Sequence, residues 1–198
     1  CVKGSAARGA LHRLGRVNAI RIGPDGLRWV VGAGEANVGG KPNPANGAPP
    51  KLVAFDPVTG RPVHLIVLRQ GTTRYSYVDD LRFHNNTLIL TDAGDPALIL
   101  VDLRNGEQRR VLSHRQCVTD ERPMRAEGRI LMTGNHEARV HADQLEVSPD
   151  GQILYFQPSS GPMWQVATED LENPSLTDAP LDARVKFFYD LSLTPISE

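Results

Sequence analysis

The sequence predicts an all-β protein of the β-propeller class, and three observations lead to this prediction. A pattern of four short strands recurs three times along the 198 residues. Within each unit the strands alternate apolar and polar residues and are rich in Val, Ile, Leu and Phe, which is typical of antiparallel sheet. Turns rich in Gly, Pro, Asn and Asp separate the strands. Repeated units of four short strands are typical of propeller blades.

The elements follow the same order in each predicted blade. The first blade, about 17–73, comprises "VNAIRI", the turn "GPDG", "LRWVV", "KLVAFD", the turn "PVTG" and "PVHLIVL". The second, about 78–115, comprises "VDDLRF", "HNN", "TLILTD", "ALILVD", "LRNG" and "QRRVL". The third, about 141–190, comprises "ADQLEV", "SPDG", "QILYFQ" and "MWQVAT". The later stretch "ARVKFFYDLSLTP" is either the fourth strand of the third blade or the connection to a further blade.

The segments outside the strands have different characters. Residues 1–16 are expected to form a loose N-terminal segment. Insertions at 36–50, rich in Gly and Pro, and at 113–140, rich in charge, lengthen the repeat beyond the roughly 40–45 residues of a lean blade. The stretch "TEDLEN" predicts one helical turn capped by Thr168.

Three blades do not close a ring, since a propeller needs at least four. The open strand edges would be free to pair with another chain. The chain is therefore predicted to be part of a larger propeller, either as a fragment or by self-association with a second copy through its open blade edges.

Composition limits the partners. Lys and Arg number 22 against 23 Asp and Glu, a net charge of −1, so nothing favours nucleic acid as a partner. No run approaches the roughly 20 apolar residues of a membrane-spanning helix. The two cysteines indicate neither a disulfide framework nor a metal-ligand spacing.

Several phrases, in order, resemble the yellow/major royal jelly protein family in its microbial branch. They are "VNAIRIGPDG", "KLVAFDPVTGRPV", "SYVDDLRF", "LILTDAGDPALILVDLRNGEQRRVL" and "VHADQLEVSPDGQILYFQPSSGPMWQV". The resemblance covers about 17–166 and implies a six-bladed propeller, of which this chain would supply about three blades. The family is distantly similar to gluconolactonase/regucalcin-like propellers. This chain departs from the family pattern in the first blade, where Gly32 stands at the position that Asp92 has in the second blade.

The resemblance implies a wide range of functions. Members of the family include secreted binders of small aromatic amines, structural or nutritive proteins, and proteins linked to dopachrome conversion. An extracellular location is therefore expected.

The candidate site residues are Asn18, Asp79 and Asp143, which occupy one equivalent position before the innermost strand of each blade. In a radial array such positions converge on one mouth of the central channel. Their oxygen donors suit Ca²⁺, Mg²⁺ or Mn²⁺, and the similarity to lactonase-like propellers implies a cation that polarises a lactone carbonyl or its water. The alternative is that these side chains hold local backbone amides in Asx turns.

Two further residues belong to this prediction. Asp80 is a candidate ligand-binding residue because either acid of the pair Asp79/Asp80 could face the channel. His141 lies two residues before Asp143 and is a candidate general base or ligand. The alternative for His141 is a hydrated loop side chain.

Three functional hypotheses result. The first is a propeller that binds a small polar or aromatic molecule at the channel mouth, with or without a divalent cation. The second is a metal-dependent lactone hydrolase resembling gluconolactonase. The third is a secreted structural or interaction protein without catalysis. Whether the protein is an enzyme is left open.

Overall fold

The computed structural model describes residues 14, 16–34, 42 and 47–190, and its main elements are three four-stranded antiparallel sheets. Blade 1 comprises β1 Val17–Ile22, β2 Arg28–Gly32, β3 Lys51–Phe55 and β4 Pro62–Val67. Blade 2 comprises β5 Val78–His84, β6 Thr87–Asp92, β7 Ala97–Asp102 and β8 Gln108–Val111. Between blades 2 and 3 lie a 3-10 helix Gln116–Val118 and the short strands β9 Arg125–Ala126, β10 Arg129–Ile130, β11 Met132–Thr133 and β12 His136–Glu137. Blade 3 comprises β13 Ala142–Val147, β14 Ile153–Pro158, β15 Met163–Ala167 and β16 Lys186–Tyr189.

In each blade the strands pair in chain order, which is the meander of a propeller blade. The all-β propeller class predicted from the sequence is therefore confirmed. The blades lie side by side as an arc, since β5 contacts both β1 and β13, and the described sheets do not close into a ring.

Two details at the C-terminal end answer open points. The last strand, β16, pairs with β15, so the stretch around Lys186 completes blade 3. The predicted cap at Thr168 is wrong. The helix α1 Thr168–Glu172 has Ala167 as its N-cap, and the Thr168 hydroxyl donates instead to the carbonyl of Gly151 at 2.7 Å. A second short helix, α2, covers Asp178–Asp182.

Some predicted segments fall outside the described residues. These are most of the N-terminal segment 1–16, most of the insertion 36–50, and residues 191–198.

The core lies between the blades, because alternate side chains of a strand point to opposite faces of its sheet. In β6, Leu88 and Leu90 pack in the cluster shared with blade 1, whereas Ile89 packs in the cluster shared with blade 3. Blade 2 is thus buried on both faces. The inner strand of blade 1 has exposed apolar side chains at Val17, Ile20 and Ile22.

The inner strands β1, β5 and β13 share one irregularity. The pairing register shifts by one residue between Val17 and Ile20, between Val78 and Leu81, and between Ala142 and Gln144. Such a β-bulge bends the strand and re-aims the side chains next to it. Asn18, Asp79 and Asp143 all lie within these bulges.

Among the described residues, no helix is long and apolar enough to cross a membrane.

Candidate ligand site at the channel mouth

The bulges bring the inner strands into contact through polar groups. Asn18 Nδ2 donates to the backbone carbonyl of Asp79 at 3.2 Å, which links blade 1 to blade 2. The hydroxyl of Thr91 donates to the backbone carbonyl of Asp143 at 2.9 Å, which links blade 2 to blade 3. The three aligned residues therefore lie along one line of contacts at the ends of adjacent blades. We call Asn18, Tyr77, Asp79 and Asp143 the mouth layer.

Asp79 and Asp143 form a carboxyl pair across the junction of blades 2 and 3. The pKa of Asp79 is raised to about 8, first by burial and then by the hydrogen bond to Asp143 and the charges of Asp143 and Asp80. Two carboxylates in contact in a partly desolvated place cannot both ionise without a large Coulomb cost. The pair therefore holds one proton between its members at neutral pH.

The Asp143 carboxylate is oriented by two donors. Its Oδ2 accepts hydrogen bonds from Gln144 Nε2 at 2.6 Å and from Ser159 Oγ at 2.7 Å. Ser159 comes from the turn after β14, so the carboxyl is held from its own strand and from its neighbour. Such support fixes a side chain in one direction, as a preformed binding site requires.

Tyr77 completes the mouth layer, and the sequence prediction missed it. Its hydroxyl donates to Asn18 Oδ1 at 3.0 Å. Burial raises the pKa of Tyr77, and the negative charge on Asp79 raises it as well. The phenol thus stays a proton donor. The repeat alignment carried a signal for it, because Arg16, Tyr77 and His141 each stand two residues before the aligned Asn or Asp.

Asp80 lies in a different environment from its neighbour. Its Oδ2 accepts from Arg21 at 2.7 Å and from Arg82 at 2.8 Å, while Oδ1 accepts from the backbone N–H of Leu81 at 2.8 Å. Arg82 Nε reaches on to Glu146 at 2.8 Å. We call Arg21, Asp80, Arg82 and Glu146 the second layer. It connects all three inner strands with alternating charge. The ligand-binding role predicted for Asp80 stays a prediction.

His141 is placed apart from the carboxyl pair. Its Nδ1 accepts from the backbone N–H of Asp120 at 3.0 Å, so the ring is neutral with its proton on Nε2. Burial lowers the pKa of His141, against the opposing charges of Asp120, Asp92 and Asp95. The side chain therefore belongs to the junction between the loop after β6 and the insertion. Its catalytic role stays a prediction.

This arrangement offers too few ligands for a divalent cation. Ca²⁺ takes 6–8 oxygen ligands and Mg²⁺ six, whereas the described residues contain no group of three or more His, Cys, Asp or Glu side chains that could hold a metal ion. The side chains of Asp79 and Asp143 are hydrogen-bonded to each other. Asn18 Oδ1 already accepts from Tyr77. The described side chains of the mouth layer therefore do not fit a divalent cation.

Comparison with known proteins gives the family. The family model described as "Major royal jelly protein" matches residues 17–191. This chain belongs to the major royal jelly protein family. The predicted resemblance to that family is thereby confirmed, while the more distant similarity to gluconolactonase-like propellers is not. No functionally curated protein matches the sequence significantly.

Among solved structures, the chain is similar to two extracellular domains from B. thetaiotaomicron. One belongs to a putative hybrid two-component system, with 12% identity, a TM-score of 0.48, and coverage of 86% of this chain and 16% of that chain. The other belongs to a putative one-component system, with 12% identity, a TM-score of 0.43, and coverage of 76% and 14%. This royal-jelly-family chain thus spans only a small part of the length of either structure.

Proposed function

We propose that this chain is part of a propeller that binds a small polar or aromatic molecule at the channel mouth, in contact with Asp79 and Asp143. The observation that supports the proposal is the carboxyl pair itself. Two acids from adjacent blades contact each other, and their repulsion does not stabilise the fold. Groups with strongly shifted pKa values concentrate at functional sites.

The chemistry of the mouth layer suits a ligand with several hydrogen-bonding groups. The proton of the pair is held between the two carboxyl groups, and the carboxyl oxygens outside that hydrogen bond can accept from a ligand. Tyr77 and Asn18 add a phenol and an amide at the edge of the same site. A ligand hydroxyl, amine or carbonyl can find a partner here, and an aromatic body would cover the partly desolvated rim.

An extracellular location is part of this proposal. It is supported by membership of the major royal jelly protein family, whose members are expected to be secreted.

The test is a thermal-shift and calorimetric screen with defined probes. Tyramine, catechol and glucose represent amine, phenol and polyol groups, and CaCl₂, MgCl₂ and MnCl₂ test the cation. We expect saturable binding of an organic probe that Asp143→Ala and Asp79→Ala abolish. The control Asp150→Ala alters an exposed turn carboxylate hydrogen-bonded to Ser148 and should leave binding unchanged. Binding that survives both mouth variants would contradict the proposal.

The same screen addresses hydrolysis. Stabilisation by a cation alone, lost in Asp143→Ala, together with turnover of gluconolactone, would replace the binding proposal by the lactone hydrolase. The arrangement of the described side chains does not favour that outcome, since the pair offers only two carboxylates.

A further inference from the structure

The insertion between blades 2 and 3 is an ordered segment at the mouth end of the sheets, held by buried residues and hydrogen bonds. Its first part is buried at Cys117, Val118 and Asp120. The Asp120 carboxylate accepts hydrogen bonds from the backbone N–H groups of Arg122 and Val140, each at 3.3 Å. The two ends of the excursion 122–140 are thereby joined at one acid. The hairpins β9/β10 and β11/β12 extend from this closed base.

This insertion forms one wall of a cavity of about 510 Å³. The wall consists of Arg122, Pro123, Met124 and Arg125, and the opposite side is the turn after β14 with Ser159 and Ser160. Ser159 is the residue whose hydroxyl donates to Asp143. Ser159 therefore lines the cavity and also contacts Asp143 of the mouth layer.

The two arginines of the wall differ in what they bind. Arg122 forms a two-pronged ion pair with the buried Asp190, at 2.5 and 2.9 Å. Arg125 is exposed, and its hydrogen bond within the described part of the chain is a long one of 3.4 Å to the carbonyl of Gly128. None of the ion pairs among the described residues includes Arg125. Its guanidinium is the positive charge that the cavity can offer to a ligand.

We propose that this cavity is the specificity subsite of the channel-mouth site and that it takes the carboxylate of a small hydroxylated organic acid. Arg125 would pair with the carboxylate, Met124 and Pro123 would cover the apolar body, and the hydroxyl group would reach the carboxyl pair beside Ser159. A planar guanidinium matches a carboxylate in a two-pronged geometry. This inference rests on the proposed function, since it assigns the class of ligand to the same site.

The experiment compares two probes that differ in one group. 4-Hydroxyphenylacetate carries the carboxylate, and 2-(4-hydroxyphenyl)ethanol replaces it with an uncharged alcohol. Calorimetry on the wild-type chain should show that 4-hydroxyphenylacetate binds about tenfold more tightly than the alcohol probe. A difference of that size is expected from one charge-assisted hydrogen-bonded pair. Arg125→Gln should remove that preference. Arg129→Gln, a change of another exposed arginine in the same β9/β10 hairpin outside the cavity, should keep it.

The outcomes separate the two proposals. Equal affinity for both probes, lost in Asp143→Ala, overturns the subsite and leaves the mouth site standing. An Arg125-dependent preference that survives Asp143→Ala supports the subsite and contradicts the proposed function. A preference unchanged in Arg125→Gln, or no binding of either probe, overturns the subsite.

Discussion

The mouth layer and the second layer lie on the same three strands, yet their charged side chains are paired in opposite ways. In the second layer Asp80 lies between Arg21 and Arg82, and Arg82 continues to Glu146, so each charge meets its opposite. In the mouth layer Asp79 meets Asp143 and must keep a proton to do so. One layer links the blades through opposite charges, whereas the other carries an electrostatic cost, as expected of the binding site that we propose.

The consecutive residues Asp79 and Asp80 show that neighbouring positions of one strand can belong to the two different layers. They share a bulge, and the same residue type supports opposite arrangements one position apart. What separates them is the partner that the neighbouring blade presents. Blade 1 brings Arg21 to Asp80, and blade 3 brings Asp143 to Asp79. Exchanging or removing these partners tests the comparison.

The largest effect is expected from the second layer. Arg82→Ala leaves Asp80 and Glu146 without their shared cation, and Arg82 and Asp80 are only 20% and 17% exposed. Removing one partner of such a pair should lower the free energy of unfolding by about 2 kcal/mol, less than for a fully buried pair. Urea denaturation measures it. Arg104→Ala, which breaks the exposed pair with Asp102, is the control and should change little. Equal losses in both variants would mean that the second layer is not structural.

The next effect is a pH dependence that belongs to the mouth layer. Because the pKa of Asp79 is raised to about 8, the folded chain keeps a proton that the unfolded chain releases near pH 4. The contribution of Asp79 to the free energy of unfolding is therefore fully present below about pH 4, and it is lost as the pH rises towards 8. The partly exposed position reduces the size of this effect to about 1–2 kcal/mol.

Asp79→Asn isolates this contribution. The amide stays uncharged, so the variant should lose the Asp79 part of the decline and exceed the wild type in stability above pH 8. Urea denaturation at several pH values measures the difference between the two proteins. That difference removes the opposite trend from His141, whose lowered pKa makes stability rise with pH. Asp150→Asn, at an exposed turn, should leave the slope between pH 5 and 8 as in the wild type. Parallel curves for wild type and Asp79→Asn would contradict the shared proton.

The smallest effect is expected at the edge of the mouth layer. Tyr77→Phe removes the hydrogen bond to Asn18 and should lower the free energy of unfolding by about 0.5–1 kcal/mol. Tyr75→Phe alters a more exposed tyrosine of the same loop and serves as the control. The comparison is made by urea denaturation at one pH. A larger loss in Tyr75→Phe would show that the Tyr77 contact does not stabilise the mouth layer.

Much of the architecture could be predicted from the repeat. Alternating apolar residues and turn signals identify the four strands of blades 1 and 2, and they place Asn18, Asp79 and Asp143 at equivalent positions. The structure brings these three positions to adjacent blade ends. The pattern could not tell that Asp79 and Asp143 meet each other, because side-chain direction at a bulge depends on pairing across strands that are far apart in sequence.

The placement of His141 shows the same limit. A spacing of two residues puts side chains on one face of a regular strand, so His141 was expected beside Asp143. The register shift between Ala142 and Gln144 interrupts that period, and the His141 ring lies against Asp120 instead. The 113–140 insertion has no periodic pattern, so neither its hairpins nor the position of Arg125 could be read from the sequence.

The most direct test of the central claim is the titration of the Asp side-chain carboxyls by carbon-detected NMR, on the wild type and on Asp143→Asn. We predict one carboxyl with a midpoint near pH 8 in the wild type, assigned to Asp79. In Asp143→Asn that midpoint should fall below 8 but stay above the ordinary value for an aspartate, because the charge of the partner is gone while burial remains. If every aspartate of the wild-type chain titrates below about pH 5, Asp79 and Asp143 do not share a proton, and the distinction between the two layers fails.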